Sequence, residues 1–260
     1  MRRLLLLPLW LPAAALAAGL TSTDINTPAP GTTRELLPYR AYDLSGFGTQ
    51  FGTHEAECKG HFVWREVTGD FDVWCRVAMV SNRVGHCTAA GIMARASTDP
   101  RAPFVRVVAH SFNRVWKGYD PYAMGARFQE GGRLVNDASW VGGYLYCIPK
   151  NRVNADIPFP NCWVRLQRRG NEFTAYFAET VGVPTEADWQ KHPPTFVLGN
   201  GPPGPTVRDT WGVYPKTMLV GLCLEANVEG EPGREAFASF HEVHGLEPRP
   251  AAAAESSGPQ

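Results

Sequence analysis

The chain has 260 residues, of which 44% are hydrophobic, and its 25 basic side chains balance its 25 acidic ones. That composition allows one large domain or two small ones to bury a core. The neutral balance argues against a nucleic-acid-binding protein, because phosphate binding requires a basic face. The 26 Gly and 22 Pro residues are typical of a turn-rich β protein rather than a helical one.

Residues 1–19 are predicted to form a signal peptide. Met1-Arg2-Arg3 is a basic start, residues 4–16 are apolar, and Ala15-Leu16-Ala17 supplies the small residues of a cleavage site. The apolar stretch is too short to remain as a membrane span, and no later stretch is apolar enough to be one. We therefore expect a secreted or periplasmic protein without a membrane span after cleavage; an uncleaved anchor is the alternative.

The central pattern of the mature chain is a predicted β-hairpin over residues 61–81. It follows a polar, proline-punctuated lead and an edge strand within residues 20–42, and it turns at Thr68-Gly69-Asp70, where Gly permits a positive φ. The second arm alternates strictly, as a strand with one dry and one mixed face does. The dry face is Phe71, Val73, Cys75, Val77 and Met79, and the mixed face is Asp72, Trp74, Arg76, Ala78 and Val80.

A second hairpin is predicted over residues 163–178, with a two-residue turn at Gly170-Asn171. That turn sets the register, so Arg165 lies opposite Tyr176, and one face of the hairpin is apolar while the other is polar. Other strands are predicted at residues 89–95, 104–110, 124–129, 133–135, 217–226 and 235–243.

The remaining segments are predicted to be loops, with one short helix around residues 185–191. Residues 246–260, which are rich in Pro, Ala and Ser, are predicted to be a disordered tail. Residues 20–245 then form a single domain. Many strands separated by turns, each with a dry and a mixed face, predict an all-β antiparallel sandwich or barrel.

Six cysteines follow the signal peptide, and an even number in an exported chain favours disulfides. They are Cys58, Cys75, Cys87, Cys147, Cys162 and Cys223. Cys147 and Cys162 flank one loop, so a disulfide between them is the first pairing we predict. Cys75 lies on a dry strand face, where a buried thiol is the alternative. No Cys or His spacing indicates structural zinc.

Several motifs in order resemble one family. They are FVW (62–64), VTGDFDV (67–73), GIMARAS (91–97), WVRLQR (163–168), GNEFTAY (170–176), VGL (220–222) and ASFHEV (238–243), preceded by DINTP (24–28). Together they resemble bacterial secreted concanavalin A-like domains of unassigned function, some of which are labelled regulation of enolase proteins. The resemblance implies a jelly-roll β-sandwich of the lectin and glucanase type, a fold that hosts many functions. The chain departs from the family in reaching Trp189 late and in having His241 where Asp is common.

Aromatic loops between residues 112 and 161 are the first candidate site. Sugar rings stack on aromatic side chains, and polar neighbours bind the hydroxyls. Trp116, Tyr119, Tyr122, Trp140 and Tyr144 are the predicted platform, and Lys117, Asp120, Asn136 and Asp137 are the predicted hydrogen-bonding groups. The alternative is that these loops bury their aromatic residues against the sandwich.

A polar sheet face is the second candidate site. Its predicted members are Arg76, Arg95, Arg106, Arg165, Gln167 and Tyr176. On one shared sheet these residues line a groove for a glycan or an anionic sugar, because Arg presents a planar fork of donors. The alternative is an ion-pair network with Asp72 or Glu66.

Signatures of catalysis and of metal binding are weak. The chain lacks the Glu-x-Asp-x-x-Glu strand of glucanases of this fold, and it lacks GxSxG. Strict alternation places His241 and His244 on opposite faces, so they are predicted not to share a metal. We expect no cofactor; a structural calcium ion near Asp24 and Asn26 is the alternative.

These observations favour an exported carbohydrate-binding, lectin-like module that binds a glycan or polysaccharide without catalysis. One alternative is a glycan-active hydrolase or lyase whose site residues are not recognisable. The other is a structural or protein-interaction module of the cell envelope.

Overall fold

The computed structural model of the protein describes residues 19–48, 50–51, 58–82, 88–111, 122–127, 158–191, 207–208, 214–226 and 234–248. The strands are β1 (Thr21–Ile25), β2 (Thr32–Leu37), β3 (Ala41–Gly46), β4 (Gln50–Phe51), β5 (Cys58–Thr68), β6 (Phe71–Asn82), β7 (Ala89–Arg95), β8 (Phe104–His110), β9 (Tyr122–Arg127), β10 (Cys162–Arg169), β11 (Glu172–Ala178), β12 (Gln190–Lys191), β13 (Val207–Arg208), β14 (Thr217–Glu225) and β15 (Ala236–His244). Within the described ranges, no helix is long and apolar enough to cross a membrane.

The described strands form two antiparallel sheets. Sheet I has the order β1-β5-β14-β7-β8-β9, with β4 also paired to β5. Sheet II has the order β12-β11-β10-β6-β15-β3-β2, with β13 also paired to β11. The prediction of an all-β, antiparallel jelly-roll sandwich is confirmed.

The core lies between the sheets and is built from alternate residues of each strand. Val73 and Leu166 of sheet II and Ile92, Val107 and Leu222 of sheet I all belong to it, and each is fully shielded from solvent. Burying an aliphatic side chain of this size contributes about 1.5–3 kcal/mol, so the shared interior holds the two layers together.

The central strands of sheet I are buried on their outer face as well. Phe62, Met93, Phe104, Val108 and Cys223 form a second apolar cluster on that side. Every residue of β7 and β8 is buried. Sheet II therefore carries the sandwich face on which partly exposed side chains alternate with core residues.

The predicted hairpin over residues 61–81 is wrong in its pairing. Both arms are strands, and Gly69 has the expected positive φ of 78°. However, β5 pairs with β1 and β14 in sheet I, whereas β6 pairs with β10 and β15 in sheet II. The turn at Gly69 carries the chain from sheet I to sheet II, so the two arms lie in different layers of the sandwich. Alternation identifies a dry face but does not identify the hydrogen-bonding partner.

The predicted alternation of β6 fails at its end. β15 pairs Ser239 with Met79 but Phe240 with Val77, so the register shifts between them. Val80 consequently enters the core and Met79 is 47% exposed, the reverse of the predicted faces.

The second predicted hairpin is confirmed with its register. Arg165 pairs with Tyr176 and Gln167 with Thr174 across the turn, where Gly170 has a φ of 59°. The short helix predicted around residues 185–191 is absent from this described segment. Thr185 and Asp188 close a turn there through hydrogen bonds of 2.8 and 2.7 Å, and strand β12 follows.

The structure describes parts of the predicted N-terminal lead and of the predicted C-terminal tail. The polar lead contains β1, a strand that the sequence did not predict. Leu246 is buried in the core, and its carbonyl oxygen accepts a 3.0 Å hydrogen bond from Arg65. Residues 1–18 and 249–260 lie outside the described residues, so the signal peptide and most of the tail stay predictions.

Four described cysteines are buried free thiols, namely Cys58, Cys75, Cys162 and Cys223. Cys162 is a free thiol in this structure, so the predicted disulfide with Cys147 is not formed here; Cys147 itself lies outside the described residues. Burial raises the pKa of Cys162 and of Cys223 to about 12.

We expect Cys162 and Cys223 to resist iodoacetamide in the folded protein at pH 8, because both are buried and almost entirely protonated. Unfolding in guanidinium without reductant should expose both thiols, and peptide mass mapping should find both labelled. A requirement for reductant before Cys162 can be labelled would instead support the Cys147–Cys162 disulfide.

Replacing Gly221 with Ala should destabilise the protein by about 2–3 kcal/mol, because the added carbon meets neighbouring backbone. Gly221 lies in β14 between β5 and β7, and a Cβ there would contact the carbonyl oxygen of Val63 and lie 2.6 Å from Cα of Trp64. Urea denaturation measures the change. Gly182→Ala is the matched control, since nothing lies within 4 Å of a Cβ at Gly182; equal stability of both variants would contradict the prediction.

Candidate functional site

The outer face of sheet II carries a cluster of tryptophan and arginine side chains. Strand pairing places Trp74 of β6 opposite Arg165 of β10, and Arg76 opposite Trp163. The two residue types therefore alternate diagonally across the two strands. Tyr176 of β11 continues the row beyond Arg165. We call this set, with Trp189 from the loop after β11, the Trp–Arg platform.

Arg165 is the hub of the polar contacts on this platform. Its Nε and Nη2 donate to the two oxygens of Asp72 at 2.8 and 2.7 Å, and its Nη1 donates to the two oxygens of Glu186 at 3.0 and 3.1 Å. Gln167 donates to Asp72 at 2.6 Å, and the Tyr176 hydroxyl donates to Gln167 at 3.1 Å. The ion-pair network with Asp72, which the sequence offered as the alternative to a ligand groove, is thus present. It lies on the same surface as the aromatic residues.

These contacts shift the ionisation of the platform residues. Burial raises the pKa of Asp72, but the hydrogen bonds from Arg165 and Gln167 and the nearby positive charges outweigh burial, so the net pKa lies below 3.8. The hydrogen bond to Asp72 is the main reason why the pKa of Arg165 is raised. Burial raises the pKa of the Tyr176 hydroxyl. Asp72 and Arg165 are therefore both charged at neutral pH.

The tryptophans differ in their exposure. Trp163 is fully buried, and its Nε1 donates to the carbonyl oxygen of Thr180 at 2.9 Å. Trp74 and Trp189 are partly exposed, with ring centroids 6.2 Å apart. Arg165 lies 5.4 Å from the Trp189 ring and 5.5 Å from the Tyr176 ring. The loop after β11 therefore folds back onto the sheet and presents Trp189 beside Trp74.

Both histidines near the end of β15 face the platform. Glu242 has a φ of 49°, and a register shift lies between His241 and His244, which pair with Arg76 and Trp74. The extra residue places both imidazoles on the outer face, so the predicted opposite facing is wrong. His244 stacks on Trp74 with ring centroids 3.7 Å apart, and burial lowers its pKa. The described residues contain no group of three potential metal ligands.

The sequence-predicted polar face is only partly brought together. Arg76, Arg165, Gln167 and Tyr176 share sheet II, but Arg95 and Arg106 lie in β7 and β8 of sheet I. The prediction of one shared face for all six residues is therefore wrong, because periodicity within a strand does not say which sheet the strand joins.

Arg95 and Arg106 are engaged on the outer side of sheet I. Arg95 is fully buried and donates to the carbonyl oxygens of Ser97 and Asp99 at 2.8 and 2.6 Å. Arg106 forms a buried ion pair with Glu225. These contacts give both arginines structural roles in sheet I.

Tyr122 belongs to the core rather than to an aromatic platform. It is fully buried, its ring stacks on Phe177 at 4.7 Å, and its hydroxyl donates to Glu179 at 3.0 Å. The other predicted aromatic residues, Trp116, Tyr119, Trp140 and Tyr144, lie outside the described residues. The same holds for their predicted polar neighbours, Lys117, Asp120, Asn136 and Asp137.

A hydrogen-bonded chain that the sequence did not indicate joins the edges of the two sheets. His61 Nδ1 lies 2.7 Å from Asp24, and its Nε2 lies 2.7 Å from the hydroxyl of Thr33 in β2 and 3.2 Å from that of Ser22 in β1. This order resembles a nucleophilic triad. However, His61 is only 1% exposed, and the Asp24 carboxylate also accepts the backbone N–H of Gly31. These hydrogen bonds therefore connect the edge strands of the two sheets, β1 and β2, along one side of the sandwich.

Sequence reasoning placed Trp74 on a mixed face but did not connect it with Trp163 or Trp189. The signal was present as alternating tryptophan and arginine in β6 and β10. It becomes a surface only when the two strands are known to be neighbours, and their separation along the chain hides that pairing.

Comparisons with known proteins support the fold. No family model and no curated protein sequence matches the chain. The structure is similar to that of a functionally unknown protein from Saccharomyces cerevisiae, with a TM-score of 0.50 and 12% identity over 86% of this chain and 94% of that one. It also matches the exoplasmic/lumenal domain of VIP36, in a Ca²⁺/Man3GlcNAc-bound form, with a TM-score of 0.37 and 8% identity over 89% and 92% of the two chains. At these identities the similarity concerns the fold, and membership of the bacterial family stays a prediction.

Replacing Asp72 with Asn should destabilise the protein by about 2 kcal/mol at pH 7, because Arg165 then keeps a poorly compensated charge. The pKa of Asp72 is lower in the folded protein than its usual 3.8, so its ionisation stabilises the fold above that value. This contribution is lost as the pH falls through the folded-state pKa. The stability difference between parent and variant should therefore shrink below about pH 4.

Urea denaturation across pH 2.5–7 measures this effect, and Glu66→Gln at an exposed position is the control. A difference that stays constant with pH would contradict the role of Asp72 ionisation.

Proposed function

We propose that the protein binds carbohydrate at the Trp–Arg platform and leaves it chemically unchanged. One observation carries the proposal. Three partly exposed aromatic side chains, Trp74, Tyr176 and Trp189, surround the hydrogen-bonded group of Arg165 and Asp72. This combination matches a sugar ring, which has apolar C–H faces and a rim of hydroxyl groups.

The aromatic residues and the polar hub have separate tasks in this proposal. Rings with electron-rich faces attract the slightly positive C–H groups of a sugar. Asp72 and Gln167 are held in place by Arg165 and Tyr176, so their oriented oxygens and nitrogens can bind hydroxyls without a large loss of side-chain entropy. The platform residues of β6, β10 and β11 lie on paired strands, which supports a preorganised site.

The electrostatics of the platform favour binding over catalysis. Glycoside hydrolysis requires a carboxylic acid that keeps its proton near neutral pH. Asp72 has a lowered pKa, and both Asp72 and Glu186 bind the guanidinium of Arg165. The hydrolase or lyase alternative would need carboxylates elsewhere on the chain, and the structural-module alternative would need no ligand. Export of the chain, which would bring it to extracellular glycans, is part of this proposal.

Replacing Trp189 with Ala should weaken glycan binding by about tenfold, because the loss of one stacking ring costs about 1.4 kcal/mol. A glycan array identifies a ligand, and titration of that ligand with the purified protein gives Kd. Val183→Ala is the control, since Val183 is 56% exposed on the same loop as Trp189.

Each bound polysaccharide should also be assayed for release of reducing ends. Binding without release, weakened in Trp189→Ala but not in Val183→Ala, is the expected result. Release of sugar would support the enzymatic alternative, and the absence of any glycan ligand would favour a protein partner.

A further inference from the structure

The two arginines of the Trp–Arg platform differ in their partners. Arg165 is held by two carboxylates, whereas Arg76 has no ion pair among the described residues. The guanidinium of Arg76 lies 5.6 Å from the Trp163 ring, and its buried Nε has no hydrogen-bond acceptor in the described part of the chain. A buried donor without an acceptor is costly, so this cation can gain from an oxygen supplied by a ligand.

The two carboxylates on Arg165 are held very differently. Asp72 projects from strand β6 and its side chain is 27% exposed, whereas Glu186 belongs to a loop turn and its side chain is 83% exposed. An ion pair with one partner so exposed contributes little to stability. Another carboxylate can therefore replace Glu186 on Nη1 of Arg165 at low cost.

Positive charge dominates the platform once Glu186 is displaced. Arg76 and Arg165 are joined by Lys191, whose Nζ lies 5.9 Å from the Tyr176 ring, and by Arg169, which approaches Asp72 at 3.9 Å. Of these four cations, Arg165 and Arg169 lie within ion-pairing distance of Asp72, the carboxylate that the sheet itself contributes. Because a cluster of positive charges attracts a ligand of opposite sign, the platform favours an anion.

We infer that the ligand is a saccharide containing uronic acid residues, and this inference rests on the proposed carbohydrate-binding function. The carboxylate of one residue takes the place of Glu186 on Nη1 of Arg165, and its ring lies against Trp189. A carboxylate of a neighbouring residue reaches Arg76. A carboxylate fits better than a round anion, because Nη1 of Arg165 already faces the two oxygens of a planar carboxylate at 3.0 and 3.1 Å.

The test compares the binding of acidic saccharides with the binding of their carboxyl-reduced, neutral counterparts. Tetrasaccharides of galacturonate, of mannuronate and of hyaluronan are titrated into the purified protein by calorimetry, each beside its carboxyl-reduced counterpart. At least one acidic probe should bind about tenfold or more tightly than its neutral copy at low salt, and added salt should reduce the difference.

Two variants locate the effect on the platform. Glu186→Gln removes the competing carboxylate and should tighten binding of the acidic probe about threefold or more, whereas Arg76→Gln should weaken it about tenfold. Because both residues lie at the platform, each variant is scored by the ratio of the Kd of the acidic probe to the Kd of its neutral counterpart. Arg34→Gln is the matched control, because Arg34 is exposed and lies on β2 at the opposite edge of sheet II.

The outcomes separate this inference from the proposed function. Equal binding of acidic and neutral probes would overturn the uronate inference and leave carbohydrate binding intact, as would a preference for neutral glycans on an array. Selective binding that is unchanged in both Glu186→Gln and Arg76→Gln would also overturn it, because the carboxylate would then bind elsewhere. Failure to bind any saccharide would overturn both proposals.

Discussion

The constraint on which this structure depends is that the central strands of sheet I are buried on both faces, whereas sheet II is buried on only one. Strands β7 and β8 are buried throughout, while β6 alternates between core and partly exposed residues. Charged side chains in sheet I must therefore find partners inside the protein, as Arg106 does with Glu225. Side chains on the outer face of sheet II remain available, and this is why the candidate site lies there.

The guanidinium of Arg165 organises that available face. It needs several acceptors because it is largely buried, and it obtains them from a strand through Asp72 and from a loop through Glu186. The same contacts tie Trp189 and Tyr176 to the sheet by stacking on the cation. One charged group thus fixes both the aromatic surface and the polar groups beside it, and it leaves one of its own edges covered only by an exposed carboxylate.

The predictions from the sequence succeeded for features that depend on residues close together along the chain. The hairpin of β10 and β11 has the expected register, because a two-residue turn leaves no freedom in pairing. The faces of Val73 and Cys75 in β6 were also predictable from a period of two. Prediction failed where the partner lies far along the chain. The arms on either side of Gly69 are strands as predicted, but they belong to different sheets.

The sequence by itself determined the positions of the longer strands, the turns at Gly69 and Gly170, and most of the residues in those strands that avoid water, because backbone sterics and side-chain periodicity act over a few residues. Only the tertiary structure decided that Trp74 and Arg165 are neighbours, that a bulge at Glu242 turns His241 and His244 to one face, and that the loop after β11 places Trp189 on the platform. These features depend on which strands pair and where a ladder gains one residue. Both are set by the packing of distant segments, for which a local pattern carries no signal.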